Sequence, residues 1–183
     1  MEAAALTPAS SSVRPQADSP PGGMAPIRNF RRLDDWVATG GQPTAEQFRD
    51  LAALGTQAVI NLALPTSTHA LPDEPAIVTS LGMAYVPIPV GFEAPRAEDF
   101  ERFCAELANR RGQKVFVHCA LNYRVSAFVA LRRIRDGWDR EAAWAEMRTI
   151  WEPDDVWSRF LETQVTRFTG PGGSPGTGAP TAA

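Results

Sequence analysis

Residues 114–134 read KVFVHCALNYRVSAFVALRRI, and this stretch decides how the fold is interpreted. Residues 114–118 are β-branched and aromatic, which predicts a short buried strand, and the apolar run 126–134 predicts a helix. The loop between them holds Cys119 and Arg124. Free N–H groups and a partial positive charge gather at a helix N-terminus and bind anions. Thiols in such surroundings have pKa values lowered from about 8.5 to roughly 3.5–7.5. The sequence therefore predicts a nucleophile, an anion cradle and an arginine in one loop.

The spacing within this loop resembles the active-site loop of the cysteine-dependent phosphatases, His-Cys-x5-Arg followed by Ser or Thr. Ser126 lies seven residues after Cys119, as in those enzymes, but Arg124 comes one place early and Val125 occupies its usual position. The shorter Cys-x4-Arg spacing is similar to that of many rhodanese-like sulfurtransferase loops. Asn122 replaces the glycine of the phosphatase pattern, and asparagine is the residue after glycine that best tolerates a left-handed backbone.

Composition limits the classes of protein that fit. The chain has 183 residues and a net charge of −3, which predicts one domain and no nucleic-acid partner. No apolar run approaches the roughly 20 residues of a membrane span, so no membrane partner is expected. The N-terminus lacks the features of a signal peptide, Met24 is an alternative start, and two cysteines do not form a disulfide framework. A reduced, cytoplasmic protein is expected.

Strand and helix signals alternate through residues 26–169, which predicts an α/β fold with a mostly parallel central sheet and helices on both faces. Residues 1–25 and 170–183 are rich in small residues and proline, which predicts disordered ends. In α/β sheets, ligands bind beyond the carboxyl ends of the strands, where Cys119 is expected to lie. The predicted strands are 58–62, 84–90 and 114–118, and the predicted helices are 44–54, 75–81, 98–109, 126–134, 139–151 and 154–168.

A wider resemblance covers nearly the whole predicted domain. Residues 40–62, GGQPTAEQFRDLAALGTQAVINL, precede the pair Ile88-Pro89 and then His118-Cys119. This order of motifs is similar to that of the bacterial dual-specificity and tyrosine phosphatase-like proteins related to the beta-lactamase-hydrolase-like phosphatase domain, a family that includes domains fused to NAD kinases. The resemblance implies a cysteine-phosphatase-like α/β sandwich and a protein tyrosine phosphatase-like hydrolase. The sulfur-handling relatives carry the shorter Cys-x4-Arg loop.

The roles of the loop residues follow from this resemblance and from side-chain chemistry. Cys119 is expected to be the nucleophile, and Arg124 to clamp oxyanions with its planar guanidinium. Ser126 is expected to cap the helix or to stabilise the leaving thiolate, and His118 to orient the loop through hydrogen bonds to the backbone. The other expected substrate-binding residues are Ala120, Leu121, Asn122, Tyr123 and, from a separate loop, His69. No metal or cofactor is implied.

The general acid is the residue for which this chain departs most from the phosphatase pattern. The phosphatases place an aspartate just after the Ile-Pro strand, where this chain has Gly91 and Phe92. Glu93 follows and is the candidate acid. Cys104 shares one apolar helix face with Phe100, which predicts a core thiol rather than a second reactive one.

Three functions remain open at this stage. The first is a phosphatase that forms a phosphocysteine and acts on a phosphorylated protein or a small phosphoester. The second is a sulfurtransferase that carries a persulfide on the same cysteine, which the short loop favours. The third is a non-catalytic phosphate-binding module, which the missing aspartate favours. The sequence leaves the natural substrate and the oligomeric state undetermined.

Overall fold

Five strands form a single sheet in the computed structural model, which describes residues 26–170. They are β1 (Arg31–Arg32), β2 (Val37–Gly40), β3 (Ala58–Asn61), β4 (Ala84–Pro87) and β5 (Val115–His118). The order in the sheet is β1-β2-β5-β3-β4, so β5 lies at the centre. All pairings are parallel except that of β1 with β2, which is antiparallel. The predicted mostly parallel α/β architecture is confirmed; β1 and β2 were not predicted as strands.

Six helices follow the strands along the described part of the chain: α1 (Ala45–Ala53), α2 (Glu74–Ser80), α3 (Ala97–Ala108), α4 (Tyr123–Arg135), α5 (Arg140–Arg148) and α6 (Asp155–Thr169). Successive residues of a strand point to opposite faces of the sheet. On β5, Val117 belongs to a buried cluster shared with α3 to α6, and Phe116 belongs to a second cluster shared with α1 and α2. Helices therefore cover both faces, as predicted.

Local sequence explains the helix ends that were predicted well. Thr44 caps α1 in a capping box with Gln47, in which each side chain bonds the other residue's backbone N–H. Gly55, which follows the helix, has a φ of 86°, a conformation that costs glycine little. Three boundaries were predicted wrongly by three residues: α4 begins at Tyr123 rather than Ser126, β4 ends at Pro87 rather than at residue 90, and α5 ends at Arg148 rather than at residue 151.

Residues 1–25 and 171–183 lie outside the described part of the chain, and so do the predictions of disorder made for them. Across residues 26–170, none of the helices has both the length and the apolar character that spanning a membrane requires.

Candidate active site

The candidate site lies at the carboxyl edge of the sheet, around residues 118–124, here named the Cys loop. His118 ends the central strand β5 and is paired with Gly40 of β2 on one side and with Asn61 of β3 on the other. Parallel strands bring their carboxyl ends to the same edge, so motifs distant in sequence meet here. This is the edge at which ligands bind in open α/β sheets.

The last two residues of the Cys loop, Tyr123 and Arg124, are also the first two residues of α4. Asn122 is the N-cap with a left-handed φ of 66°, which confirms that asparagine supplies the turn for which the phosphatase pattern uses glycine. The first hydrogen bond of the helix runs from the Ser126 N–H to the Asn122 carbonyl. The N–H groups of Tyr123, Arg124 and Val125 therefore have no acceptor within the helix, as expected for a first turn. These groups and the loop amides form what we name the oxyanion cradle.

Carbonyl groups of the Cys loop point outward. The Ala120 carbonyl accepts a hydrogen bond from the Gln42 N–H at 3.1 Å, and the Leu121 carbonyl accepts one from Asn29 Nδ2 at 2.9 Å. In a trans peptide the C=O and the following N–H point in opposite directions. The turn at Gly41 comes so close to the loop that a Cβ there would lie 3.0 Å from the Ala120 oxygen, which explains why a glycine stands at this position.

Cys119 lies at the base of this arrangement and is 1% exposed. Its backbone N–H approaches the Gly40 carbonyl at 3.4 Å. Burial lowers the pKa of Arg124, and the charge of Cys119 acts in the opposite direction, so the two side chains are close enough to interact electrostatically. Leu62 also connects the two residues, because its N–H donates to the carbonyl of His118, the residue before Cys119, at 2.8 Å and its carbonyl accepts from Arg124.

The Arg124 guanidinium is held on several sides. It donates to the Leu62 carbonyl at 3.4 Å and to Ser67 Oγ at 3.3 Å, and it lies 5.5 Å from the centre of the Phe92 ring. Its Nε is buried and has no hydrogen-bond partner among residues 26–170. Arg124 therefore has a fixed position next to Cys119 and a donor that remains unused.

A buried polar network behind the Cys loop was not predicted. Glu74, at the start of α2, is almost fully buried, and its Oε1 accepts from His118 Nε2 at 3.0 Å and from Asn61 Nδ2 at 2.8 Å. Its Oε2 accepts from Gln42 Nε2, and Tyr85 OH accepts from Asn61 Nδ2 at 3.0 Å. Two sequence signals pointed to this network: Asn61 at the end of an apolar strand, and Gln42 in the turn Gly41-Gln42-Pro43, named here the GQP turn.

The surroundings of Glu74 favour its ionised form. Burial alone raises the pKa of Glu74, but the hydrogen bond and charge of His118, together with bonds from Gln42 and Tyr85, hold that pKa below its ordinary value. Burial raises the pKa of Tyr85 to about 12, and the Glu74 charge adds to the effect. An ionised Glu74 requires His118 to donate through Nε2, which fixes the proton on that nitrogen.

His118 does not make the backbone hydrogen bonds expected of its side chain. The ring is fully buried, bonds Glu74 through Nε2, and has no partner at Nδ1 within the described chain. It orients the loop from behind through a side-chain network, and its burial does not fit its expected place among the substrate-binding residues. Ala120, Leu121 and Asn122 lie between β5 and α4, and Tyr123 is the first residue of α4; their role in substrate binding stays a prediction.

Ser126 is not hydrogen-bonded to Cys119. Because α4 starts three residues earlier than predicted, Ser126 lies within the first turn rather than at the cap. Its hydroxyl donates to the Tyr123 carbonyl at 2.9 Å and accepts from Trp151 Nε1 at 3.1 Å. The expected contact with the thiol is therefore absent in this structure, and Ser126 instead connects the helix to Trp151.

Aromatic side chains cover one side of the site. Tyr123 stacks on Trp151 with ring centres 4.8 Å apart, and Phe92 contacts both Trp151 and Trp157 at 5.7 Å. Trp157 Nε1 donates to the Phe92 carbonyl at 2.9 Å, which fixes the loop after β4. We name these four residues the aromatic wall. Phe92 of the wall is the ring that contacts Arg124.

The two remaining candidates lie on exposed loops. Glu93 follows Phe92 of the aromatic wall, and His69 has a left-handed φ of 66° in the loop between β3 and α2. Neither side chain has a hydrogen bond or ion pair within residues 26–170. The geometry places Glu93 beside a residue that contacts Arg124. His69 lies in the loop whose Ser67 accepts from Arg124, but among the described residues its own side chain makes no hydrogen bond or ion pair with the Cys loop.

A family model described as "DSP-PTPase phosphatase fused to NAD+ Kinase" matches residues 30–156. This range contains the Cys loop, the GQP turn and the network around Glu74. A search among curated proteins gave no significant match.

Solved structures give a consistent picture. A protein of Shewanella putrefaciens CN-32, described as a candidate phosphatase of the DUF442 domain type, is 35% identical, with 76% of this chain and 92% of that chain covered and a TM-score of 0.68. The core catalytic domain of the PP-IP phosphatase SIW14 of S. cerevisiae is 16% identical, with 76% of this chain and 87% of that chain covered and a TM-score of 0.66. TpbA of P. aeruginosa in complex with phosphotyrosine is 23% identical over 74% and 82%, with a TM-score of 0.58. The last two likenesses concern the fold alone.

Proposed function

We propose that this phosphatase, which belongs to the family described as "DSP-PTPase phosphatase fused to NAD+ Kinase", hydrolyses phosphate monoesters through a phosphocysteine on Cys119. The observation that carries this proposal is the joint position of Cys119 and Arg124. The thiol precedes the free N–H groups of α4, and the guanidinium is close enough to interact with it electrostatically. A nucleophile, oxyanion donors and a fixed cation are what phosphoryl transfer to a thiolate requires.

In the first step the Cys119 thiolate attacks phosphorus. An S–P bond forms as the P–O bond to the leaving group breaks, and the leaving oxygen takes a proton. The oxyanion cradle and Arg124 hold the phosphoryl oxygens, with the unpartnered Arg124 Nε as an available donor. Fixed donors at developing charge are worth about 10²–10³-fold in rate.

In the second step water attacks the phosphocysteine. The O–P bond forms, the S–P bond breaks, and the thiolate and inorganic phosphate are released. His118, which precedes Cys119 in the chain, is hydrogen-bonded to the buried Glu74, and this pair keeps β5 and the loop in place. The cycle needs no oxidant, reductant or metal in its balance.

Glu93 is the proposed general acid for the first step. It is exposed and next to Phe92, whose ring contacts Arg124. Replacing Glu93→Gln should lower turnover of alkyl phosphates by about 10²-fold, because a general acid contributes about 10²–10⁴-fold to poor leaving groups. Aryl phosphates with good leaving groups should lose much less. Equal loss on both substrate types would argue against Glu93 as the acid.

The proposed substrates are phosphorylated proteins or small phosphoesters with an aromatic group at the phosphate. The aromatic wall flanks the Cys loop and leaves Phe92, Tyr123 and Trp151 partly exposed. Aromatic side chains favour stacking with an aromatic leaving group.

Persulfide transfer remains a second candidate because the Cys119-to-Arg124 spacing is one residue shorter than in the phosphatase pattern. Two assays on one preparation separate the candidates: hydrolysis of an aryl phosphate, and thiocyanate release from thiosulfate and cyanide. The proposal predicts phosphate release that Cys119→Ser removes, without thiocyanate. Thiocyanate release without phosphatase activity would replace it with sulfur transfer.

A further inference from the structure

Asn29 holds the Cys loop from outside the motif. It lies in a tight turn before β1, in which the Phe30 N–H donates to the Ile27 carbonyl. Its side chain Nδ2 donates to the Leu121 carbonyl at 2.9 Å, and its own carbonyl accepts from Asn122 Nδ2 at 2.8 Å. The two asparagines are 93 residues apart in sequence, yet each supplies the amide that bonds the other's segment.

Both asparagines have left-handed backbones, with φ of 51° at Asn29 and 66° at Asn122. A left-handed backbone costs a residue other than glycine conformational energy, and such a residue keeps this conformation only where its surroundings fix it. The reciprocal bonds do this for both, and Asn122 Nδ2 also donates to Thr39 Oγ1 at 3.1 Å. The turn at Asn29 and the tip of the Cys loop therefore form one rigid unit.

The bond to Leu121 fixes the direction of a peptide group. Because the Leu121 carbonyl points toward Asn29, the Asn122 N–H of the same trans peptide points away from it. The isolated bridge between Gly41 and Leu121 also holds this stretch of the loop, so the Asn29 amide is one of two restraints on the peptide group. Without the amide, the Leu121 carbonyl would lose its side-chain partner and would be freer to turn toward the bound anion. A carbonyl facing a phosphate would repel it where an N–H attracts it.

We propose that Asn29 is a positioning residue that keeps the oxyanion cradle in its anion-binding orientation. The catalytic part of the test rests on the proposed function, whereas the phosphate-binding part does not depend on it. Asn29 acts through the Leu121 peptide and does not itself touch the anion.

Two variants separate the side chain from the backbone. Asn29→Gly keeps the left-handed turn, since glycine adopts positive φ readily, and removes only the amide. Asn29→Asp keeps the shape but places a carboxylate oxygen against the Leu121 carbonyl. The matched control is Asp34→Ala, which removes two side-chain bonds to backbone, from Trp36 and Val37, at the opposite end of β2.

The primary readout is protection of Cys119 from iodoacetamide by inorganic phosphate, followed by peptide mass spectrometry. We expect the phosphate concentration for half protection to rise about tenfold in Asn29→Gly and further in Asn29→Asp, the size expected for one net hydrogen bond. The control should stay within about twofold. For aryl phosphate, kcat/KM should fall in parallel with protection while melting temperatures match that of the control.

Failure of the inference differs from failure of the proposed function. If both Asn29 variants keep wild-type phosphate protection while their melting temperatures fall, Asn29 has a structural role only and the inference is overturned. If wild-type protein hydrolyses no phosphoester but the graded loss of protection appears, the proposed function fails and the inference stands. If phosphate does not protect the wild-type thiol at all, both fail.

Discussion

Cys104 and Cys119 are both buried, yet the regions around them differ in one decisive respect. Cys104 lies in the middle of α3, where burial raises its pKa to about 12 even though Arg135 and Arg132 favour the thiolate. Cys119 lies just before the first turn of α4, beside Arg124. Nearby arginines are common to both regions, so cations alone do not make a nucleophile. The difference is the helix end, whose unpaired N–H groups can hold the anion that the Cys119 thiolate is proposed to attack.

The largest expected effect follows directly from this contrast. Cys119→Ser should lower aryl phosphatase activity by about 10⁴-fold or more, since removal of a catalytic nucleophile has effects of this size. Cys104→Ser should keep activity within about threefold and cost only stability. Steady-state kinetics on both variants tests this. Loss of activity in Cys104→Ser with retention in Cys119→Ser would reverse the assignment of the two regions.

The arginines provide the second test. Arg124→Lys should lower kcat/KM by about 10²-fold, because lysine lacks the planar fork that holds two oxygens. Arg135→Lys, which changes the cation beside Cys104, should change kcat/KM by less than about twofold. If both substitutions had the same effect on kinetics with the proteins folded, the contrast between the two regions would lose its electrostatic basis.

Glu74 sharpens the comparison, because the Cys119 region is backed by a buried carboxylate. The pKa of Glu74 is held below its ordinary value of 4.5 in the folded state, so its stabilising effect is present above about pH 4.5 and is lost as pH falls through the folded pKa. Glu74→Gln should lower the free energy of unfolding by about 2 kcal/mol at neutral pH, and the difference from wild type should shrink in acid.

Urea unfolding at a series of pH values measures this effect. Glu98→Gln is the matched control, since Glu98 also lies in the first turn of a helix but is exposed. The control should change the unfolding free energy by less than about 0.5 kcal/mol. A difference between wild type and Glu74→Gln that is constant with pH would show that Glu74 carries no charge in the network.

The smallest expected effect concerns Ser126. Its hydroxyl bonds the Tyr123 carbonyl and Trp151 rather than Cys119, so Ser126→Ala should reduce stability by about 1 kcal/mol and activity by less than about threefold. Stopped-flow hydrolysis of an aryl phosphate resolves both chemical steps. A large slowing of phosphocysteine breakdown, seen as a pronounced burst, would show that the hydroxyl reaches the sulfur during turnover.

Residues 114–134 were enough to predict the central strand, the loop and the helix that define the site. Strong local signals, an apolar strand and a motif with fixed spacing, account for this. The start of α4 was misplaced because Tyr123 and Arg124 are polar enough to read as loop. In the fold they are helical since Asn122 supplies a left-handed cap.

The groups that hold the Cys loop in place escaped prediction because their partners are distant in sequence. Asn29 is 92 residues from Leu121, and Glu74 is 44 residues from His118. Neither Asn29 nor Glu74 belongs to a local sequence motif. Their roles become visible only when the fold brings their segments to the carboxyl edge of the sheet. The short strand β1 was missed for a similar reason, since its two residues form a strand only by pairing with β2.

The most direct test of the central claim is to trap the covalent intermediate. Wild-type protein is mixed with an aryl phosphate, quenched rapidly in acid, digested and examined by mass spectrometry, with Cys119→Ser as the control. We predict a phosphoryl group on the peptide that contains Cys119, absent from the peptide that contains Cys104. Phosphate release at the wild-type rate with no modified cysteine, or a persulfide in place of the phosphoryl group, would contradict the account.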